Sequence, residues 1–202
     1  MGIPFDRLGS LFSRWGHRAY PRWAWPLLSE ALRTLPREGR VLDLGGGTGV
    51  LARAALAIRP DLKITVVDPA KGMLRHVPAP IEVAFARAEA LPFARAQLDA
   101  VLLGEALHHF QDPRAALVQV ARVLRPGGLL WIYDFDPRAG LGRWVYWGER
   151  LLGEPANFMT PQGLLGEIAG LGFSGSFEAR RGRYVLTARL KDEKPQAAAR
   201  PA

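Results

Sequence analysis

The stretch VLDLGGGTGVLA, residues 41–52, changes character twice within a dozen positions. Val41 to Leu44 has the apolar pattern of a buried strand, four glycines and a threonine follow, and a helix-like pattern begins at Val50. Four glycines in five positions are more than a tight turn needs, because one or two left-handed residues suffice to reverse a chain. The stretch therefore predicts a strand, a turn and a helix in which the backbone comes very close to a ligand.

Two cofactor chemistries are consistent with this turn. Residues 47–52, GTGVLA, match the G-x-G-x-x-G/A pattern of dinucleotide-binding folds, and Asp68, about 20 residues on, is placed to bind ribose hydroxyls. When the turn is read from Asp43 instead, it becomes D-x-G-x-G-x-G, with a carboxylate ahead of the glycines. The turn alone therefore does not distinguish hydride transfer from methyl transfer.

Composition limits the class of protein. The 202 residues suit one domain, 49% of them are hydrophobic, and there is no cysteine. Disulfides, thiolate metal sites and cysteine nucleophiles are therefore excluded, we expect no metal site, and a cytoplasmic setting fits best. We find no apolar run of the ~20 residues that cross a membrane and no pattern of a secretory signal.

The formal net charge of +8 comes mainly from arginine, since there are only four lysines (Lys63, Lys71, Lys191 and Lys194). Such a charge suits a nucleic-acid or anionic-membrane partner, but the arginines are spread along the whole chain, which favours a solvated surface. A single asparagine, Asn157, with no cysteine and 16 prolines, indicates adaptation to heat.

From Val41 onward, strand patterns alternate with helix patterns. The predicted strands are 41–44, 63–68, 82–87, 98–104, 129–135, 175–180 and 184–190. The predicted helices are 26–35, 50–59, 71–77, 113–123, 143–152 and 161–171. This order predicts an α/β fold with a Rossmann-like, doubly wound seven-stranded sheet, mostly parallel and with helices on both faces. Only three residues separate the last two strands, so the sheet should end in a hairpin with one antiparallel strand.

Three downstream segments decide between the two chemistries. They are VVDPAKGML at 66–74, ARAEALPFARAQLDAVLLGEALHHF at 86–110 and ARVLRPGGLLWI at 121–132. Together with the register that starts at Asp43, this series resembles class I S-adenosylmethionine (SAM) dependent methyltransferases. The most similar subgroup is the small-molecule methyltransferase type 11, which includes enzymes of ubiquinone and menaquinone biosynthesis. The resemblance covers about Arg40 to Leu190 and implies SAM as cofactor, with S-adenosylhomocysteine (SAH) as its product.

The resemblance assigns the methionine half of SAM to the glycine turn. Gly45, Gly46 and Gly47 would pass under it, and the carbonyl of Gly104 would accept a hydrogen bond from its ammonium group. SAM has no pyrophosphate, and its positive charges favour the carboxylate of Asp43.

Later segments of the chain would bind the nucleoside half of SAM. Asp68, followed by Pro69, would bind the ribose hydroxyls, and Met73 would pack against the adenine. The backbone of Ala88 would bond the adenine ring, with Glu89 beside it.

Arg87 departs from the family pattern. Many members have an aspartate there that accepts a bond from the adenine amino group, whereas an arginine cannot accept one. Either that contact is lost here or Arg87 points elsewhere.

Methyl transfer from a sulfonium is an in-line displacement that requires proximity, alignment and a dry site, so no invariant catalytic residue is needed. Where the acceptor carries a proton, a general base helps. His109 and then His108 are the candidates, because they follow the fourth strand at the carboxyl edge of the sheet. Tyr133 and Asp134 at the end of the fifth strand are secondary candidates.

The segments expected to cover the acceptor are aromatic and basic. The N-terminal helical segment, 1–38, contains Trp15, Tyr20, Trp23 and Trp25, and the insertion 138–160 contains LGRWVYWGERLL at 141–152. An apolar cover suits a flat or lipid-like acceptor. We interpret Trp144 and Trp147 as residues that fasten helices to the core, in preference to a peripheral membrane contact. The domain would span 1–190, with a flexible tail at 191–202.

Two alternatives remain beside small-molecule methylation. The charge keeps an RNA methyltransferase open, although GEAL stands after the fourth strand where amino-group nucleic-acid enzymes carry Asp/Asn-Pro-Pro-aromatic, and carbon-5 pyrimidine enzymes need a cysteine. A non-catalytic SAM-binding protein is the other.

Overall fold

Seven strands form one sheet in the described part of the computed structural model, residues 20–152 and 156–192. Numbered along the chain, they are β1 (Arg40–Leu44), β2 (Lys63–Asp68), β3 (Glu82–Phe85), β4 (Leu98–Gly104), β5 (Leu124–Phe135), β6 (Phe173–Arg180) and β7 (Arg183–Leu190). Their order across the sheet is β3-β2-β1-β4-β5-β7-β6, and the first five are parallel. The order reverses between β1 and β4, which is the position where open α/β sheets bind ligands.

Helices cover both faces of the sheet. They are α1 (Ala24–Arg33), α2 (Val50–Ile58), α3 (Lys71–Leu74), α4 (Pro113–Val123), α5 (Gly140–Leu152) and α6 (Pro161–Gly170). Leu28 of α1 and Leu51 of α2 belong to one buried cluster, whereas Leu117 of α4 and Ile168 of α6 belong to the other. The predicted doubly wound fold is therefore confirmed.

Side-chain caps fix where two of these helices begin. The Asp112 carboxylate accepts a hydrogen bond from the Ala115 amide (2.9 Å), and the Thr160 hydroxyl accepts one from Gly163 (3.2 Å). In both helices a proline occupies the first turn, where its missing amide hydrogen costs nothing. These signals lie in the sequence, and the predicted starts at 113 and 161 are correct.

The predicted C-terminal hairpin with one antiparallel strand is confirmed. β7 is that strand, and it lies between β5 and β6, so β6 forms the edge of the sheet. The turn has two residues, Arg181 (φ 52°) and Gly182 (φ 81°), and both are left-handed. A two-residue turn of this kind matches the natural twist of the two strands it joins.

The bounds of several helices and strands differ from those predicted. α3 ends at Leu74 instead of 77, and β3 ends at Phe85 instead of 87. β5 begins at Leu124, five residues early, because Leu124 pairs with Leu98 before an irregularity in the ladder. Trp15 and the rest of 1–19, together with 193–202 of the predicted tail, lie outside the described residues.

Candidate functional site

The glycine turn after β1 adopts a backbone that other residues would strain. Gly45, Gly47 and Gly49 have φ values of 69°, 54° and 72°. A Cβ on Gly45 would lie 2.7 Å from the Cβ of Ala106. The Gly45 amide donates to the Val67 carbonyl (2.8 Å), which ties the turn to the end of β2. The turn therefore presents bare backbone at the carboxyl edge of the sheet.

Asp43 lies directly beneath this turn and is fully buried. Its Oδ2 accepts a hydrogen bond from the Ala52 amide (2.9 Å), while its buried Oδ1 has no hydrogen-bond partner among the described residues. Burial raises its pKa to about 7; the Ala52 bond opposes this rise, and nearby Asp68 adds to it. A Cβ on Gly46 would lie 2.5 Å from the Asp43 carboxyl carbon, so only glycine fits there. The buried Oδ1 can still accept a donor from a ligand, preferably a cation.

Asp68 ends β2 with both carboxylate oxygens in backbone hydrogen bonds. Oδ2 accepts from Gly47 (2.9 Å) and Oδ1 accepts from Ala70 (2.8 Å). The buried Met73 packs on the same turn, since a Cβ on Gly47 would be 3.0 Å from its methyl carbon. The structure thus brings Asp43, the glycines, Asp68 and Met73 together, whereas Pro69 is exposed.

The residues expected at the adenine lie after β3. Ala88 is buried, and Glu89 accepts a hydrogen bond from the Asp112 amide (3.2 Å). The Arg87 side chain is half exposed and pairs with Glu89 (Nε–Oε2 3.4 Å). Of the two alternatives that the sequence left for Arg87, the structure supports a side chain that points elsewhere.

Gly104, at the end of β4, lies against the hydroxyl of Tyr20, which leaves no room for a Cβ. The Tyr20 ring is 5.1 Å from that of Tyr133 and 5.2 Å from that of Trp25. Burial, with Glu105 close by, raises the pKa of Tyr20 well above its ordinary value. The phenol therefore stays neutral and can donate a hydrogen bond at the place where Gly104 meets the N-terminal segment.

The two histidines differ in their surroundings. His108 is buried, its Nδ1 lies 2.6 Å from Oδ1 of Asp134, and its ring stacks on Phe158 (4.2 Å between centroids). The ring of the less buried His109 lies beside that of His108, 4.1 Å away. Asp134 thus fixes the orientation of the His108 imidazole, as a carboxylate does in a catalytic dyad.

Glu105 was not predicted as a functional residue. Its backbone is left-handed (φ 52°), and its amide donates to the Tyr133 carbonyl (2.8 Å). Its Oε1 is buried without a hydrogen-bond partner among the described residues, although the Tyr133 hydroxyl bonds the carboxylate. Burial raises its pKa to about 7, against the attraction of Arg183. A strained, partly buried acid next to His108 is typical of functional sites. The feature of the sequence that could have identified Glu105 is its position directly after the buried strand β4.

Trp144 and Trp147 contradict their interpretation as core anchors. They are 71% and 61% exposed on α5. The side of the helix that packs inward carries the buried Gly142 and the partly buried Tyr146, whose ring lies 5.8 Å from Phe158.

These features define a doubly wound α/β cofactor-binding protein. Its ligand site lies where β1, β2 and β4 end, and it offers bare glycine backbone and buried carboxylates. In residues 20–152 and 156–192 no helix has the length and apolarity to cross a membrane. The same residues contain no group of three or more His, Asp or Glu side chains arranged to hold a metal ion.

Comparisons with known proteins identify the family. Residues 42–132 match the family described as "Methyltransferase domain". An uncharacterized methyltransferase of Mycobacterium tuberculosis is 34% identical, over 84% of this chain and 76% of that protein. Demethylmenaquinone methyltransferase of Thermus thermophilus is 37% identical, over 57% of this chain and 55% of that protein. A SAM-dependent methyltransferase of Thermotoga maritima has the same fold, with a TM-score of 0.73 at 24% identity over 93% of this chain and 99% of that one. The chain belongs to the SAM-dependent methyltransferases and has relatives that methylate small molecules.

Proposed function

We propose that this enzyme methylates a small organic acceptor whose nucleophilic atom carries a proton. The observation that supports SAM as the cofactor is the buried Asp43 carboxyl group beneath the glycine turn, since its Oδ1 has no hydrogen-bond partner among the described residues. When bound, SAM supplies a methyl group that its sulfonium has already activated, so the protein has to supply alignment and a dry environment.

Several residues of this site would hold the cofactor in complementary ways. Asp43 would attract its positive charge, and bare backbone at Gly45 to Gly47 would allow close approach. Asp68 would receive the ribose hydroxyls, because its carboxylate is already oriented by the amides of Gly47 and Ala70. Tyr20 covers Gly104, whose carbonyl is the expected partner of the ammonium group.

The nucleoside half would lie between α3 and the segment after β3. Met73 is buried beside the turn, which suits an adenine contact, and Ala88 would offer its backbone. Glu89 is held by the Asp112 amide at the start of α4, and Pro69 would border the opening.

The acceptor's proton would pass to His109, with His108 as the second candidate. The Asp134 carboxylate holds the His108 ring and would stabilise a positive charge on it. Replacement of His109 by Asn should lower turnover about 10²–10⁴-fold while the dissociation constant of SAH stays unchanged. Unchanged turnover would remove His109 from the mechanism, and His108→Asn would then test the second candidate.

The acceptor would be covered by the N-terminal segment 1–38 and by 138–160, within one domain of residues 1–190. The packing of Tyr20 and Trp23 on Tyr133 supports this arrangement, since Tyr133 pairs with Gly104 of β4 near the carboxyl end of β5. A cytoplasmic setting and a heat-adapted chain remain predictions.

The decisive experiment measures SAH binding by calorimetry and then methyl transfer from labelled SAM to a panel of amines, phenols, carboxylic acids and quinols. Binding with turnover on one class supports the proposal. Turnover only on RNA, with steep salt dependence, would establish an RNA methyltransferase instead. Binding without turnover on either substrate set would indicate a non-catalytic SAM-binding protein, and stabilisation by NAD but not SAH would contradict the cofactor assignment.

A further inference from the structure

Helix α5 carries a continuous apolar surface on its outer side. We call it the α5 stripe: Leu141, Trp144, Trp147 and Leu151, which are 46%, 71%, 61% and 89% exposed. Their spacing places them along one side of the helix. A Cβ on Gly148, within the same stripe, would meet no atom of the described chain within 4 Å. Single exposed apolar residues are ordinary, but a contiguous patch with two indoles marks an interaction surface.

The opposite side of α5 is anchored, so the stripe does not result from an undocked helix. Gly142 is buried, and a Cβ there would lie 2.6 Å from the Gly182 carbonyl oxygen in the hairpin. Tyr146 contacts Phe158, which in turn stacks on His108. The helix therefore has its packed side toward the site and its stripe outward.

Basic side chains border the stripe. Arg143 and Arg150 lie along one edge of it and are exposed, and exposed Arg138 precedes the helix. Exposed Arg181 is also adjacent, because its carbonyl lies against Gly140 at the start of α5. Tryptophan and leucine beside arginine form the pattern of helices that lie in the headgroup region of a membrane.

We propose that the α5 stripe binds the surface of a bilayer that contains anionic phospholipids, with Trp144 and Trp147 inserted and Arg143 and Arg150 at the lipid phosphates. The net charge of +8 favours the same partner at longer range. A second copy of the chain is a poorer occupant, because a two-fold contact would bring the same arginines together. The inference does not depend on the identity of the methyl acceptor.

The test is flotation of the full chain with vesicles of phosphatidylcholine alone and of phosphatidylcholine with phosphatidylglycerol at 3:1. Binding to the anionic vesicles is expected, together with a blue shift of tryptophan fluorescence and weakening at high salt. Trp144→Ala/Trp147→Ala should lower the partition coefficient at least about tenfold, since an indole carries about 150–250 Å² of buriable surface. Arg143→Gln/Arg150→Gln should lower it by about fivefold for each arginine.

The matched control is Val83→Ala/Phe85→Ala, which removes exposed apolar side chains (49% and 58%) from β3 at the far side of the sheet. This control should float like the wild type, and all variants should melt near the wild-type temperature because the changes are on the surface. The proposal is overturned if the wild type does not bind anionic vesicles or binds neutral ones equally. It is also overturned if the tryptophan variant binds normally, or if the tryptophans instead mediate a concentration-dependent dimer.

Discussion

Asp43 occupies a position that lowers the stability of the fold. Burial raises the pKa of Asp43 to about 7, so its carboxyl group stays protonated up to about that pH, whereas an aspartate in an unfolded chain has the ordinary pKa of 3.8. Between these two pH values the unfolded state has lost a proton that the folded state retains. The contribution of Asp43 to the free energy of unfolding therefore falls as pH rises from about 4 to about 7, and it stays low above that. Such a loss of folding stability is typical of a residue that is retained because it binds a ligand.

Asp43→Asn should raise stability while weakening the cofactor site. Asparagine can still accept the Ala52 hydrogen bond through its amide oxygen, but it cannot ionise. We expect the free energy of unfolding at pH 8 to rise by roughly 2–4 kcal/mol, and SAH to bind at least about tenfold more weakly. Denaturant titrations with and without SAH measure both quantities. At pH 4 the gain in stability should almost disappear, and a gain of equal size at both pH values would contradict the ionisation argument.

The sequence predicted some of these residues because their signals are local. The glycines and Asp43 lie within a few positions of one another, and the left-handed turn explains their spacing. The pairing of His108 with Asp134 depends instead on the alignment of β4 beside β5, across 26 residues. Glu105 was overlooked because only the fold shows that one of its carboxylate oxygens, Oε1, is buried.

The β6–β7 hairpin contains a strained residue that a better turn sequence would relieve. Arg181 has φ 52° next to Gly182, and such two-residue turns prefer Asn-Gly. Arg181→Asn should therefore raise the free energy of unfolding by about 0.5–1 kcal/mol, which thermal or denaturant melts would detect.

Arg180→Asn provides the matched control for this turn. Arg180 is a strand residue whose guanidinium lies 5.4 Å from the Trp23 ring centre, so its loss should bring no gain. A lower melting temperature for Arg181→Asn, or an equal gain for both variants, would contradict the strain argument.

The hydrophobic pattern of helix α5 does not by itself show which side of the helix packs on the rest of the fold. Leu141, Trp144 and Leu151 form a helical apolar stripe, which normally identifies the side that faces a core. Here the buried Gly142 allows close approach to the hairpin, so the helix packs on its less apolar side. Residue spacing predicted the helix correctly but could not indicate which side is buried.

Across the whole molecule, charge is divided unevenly. The chain carries +8 overall, yet the buried acids Asp43, Asp68 and Asp134 lie at the carboxyl edge of the sheet, together with Glu105. The Rossmann-like order of β1, β2, β4 and β5 brings these strand ends together although their residues are distant in sequence. The resulting edge is suited to a ligand with positive charge.

This charge distribution predicts that cofactor affinity depends on pH. We expect SAH to bind when Asp43 is ionised. Because the pKa of Asp43 is about 7, its carboxyl group must then lose a proton before SAH can bind below that pH. The dissociation constant of SAH should therefore be about tenfold higher at pH 6 than at pH 8, and it should level off above pH 8. Calorimetry at several pH values, in buffers of different ionisation enthalpy, would also detect the released proton.

In Asp43→Asn, binding should be weaker and nearly independent of pH over this range. A wild-type affinity that does not change between pH 6 and 8, or an equal pH dependence in Asp43→Asn, would show that another group controls binding.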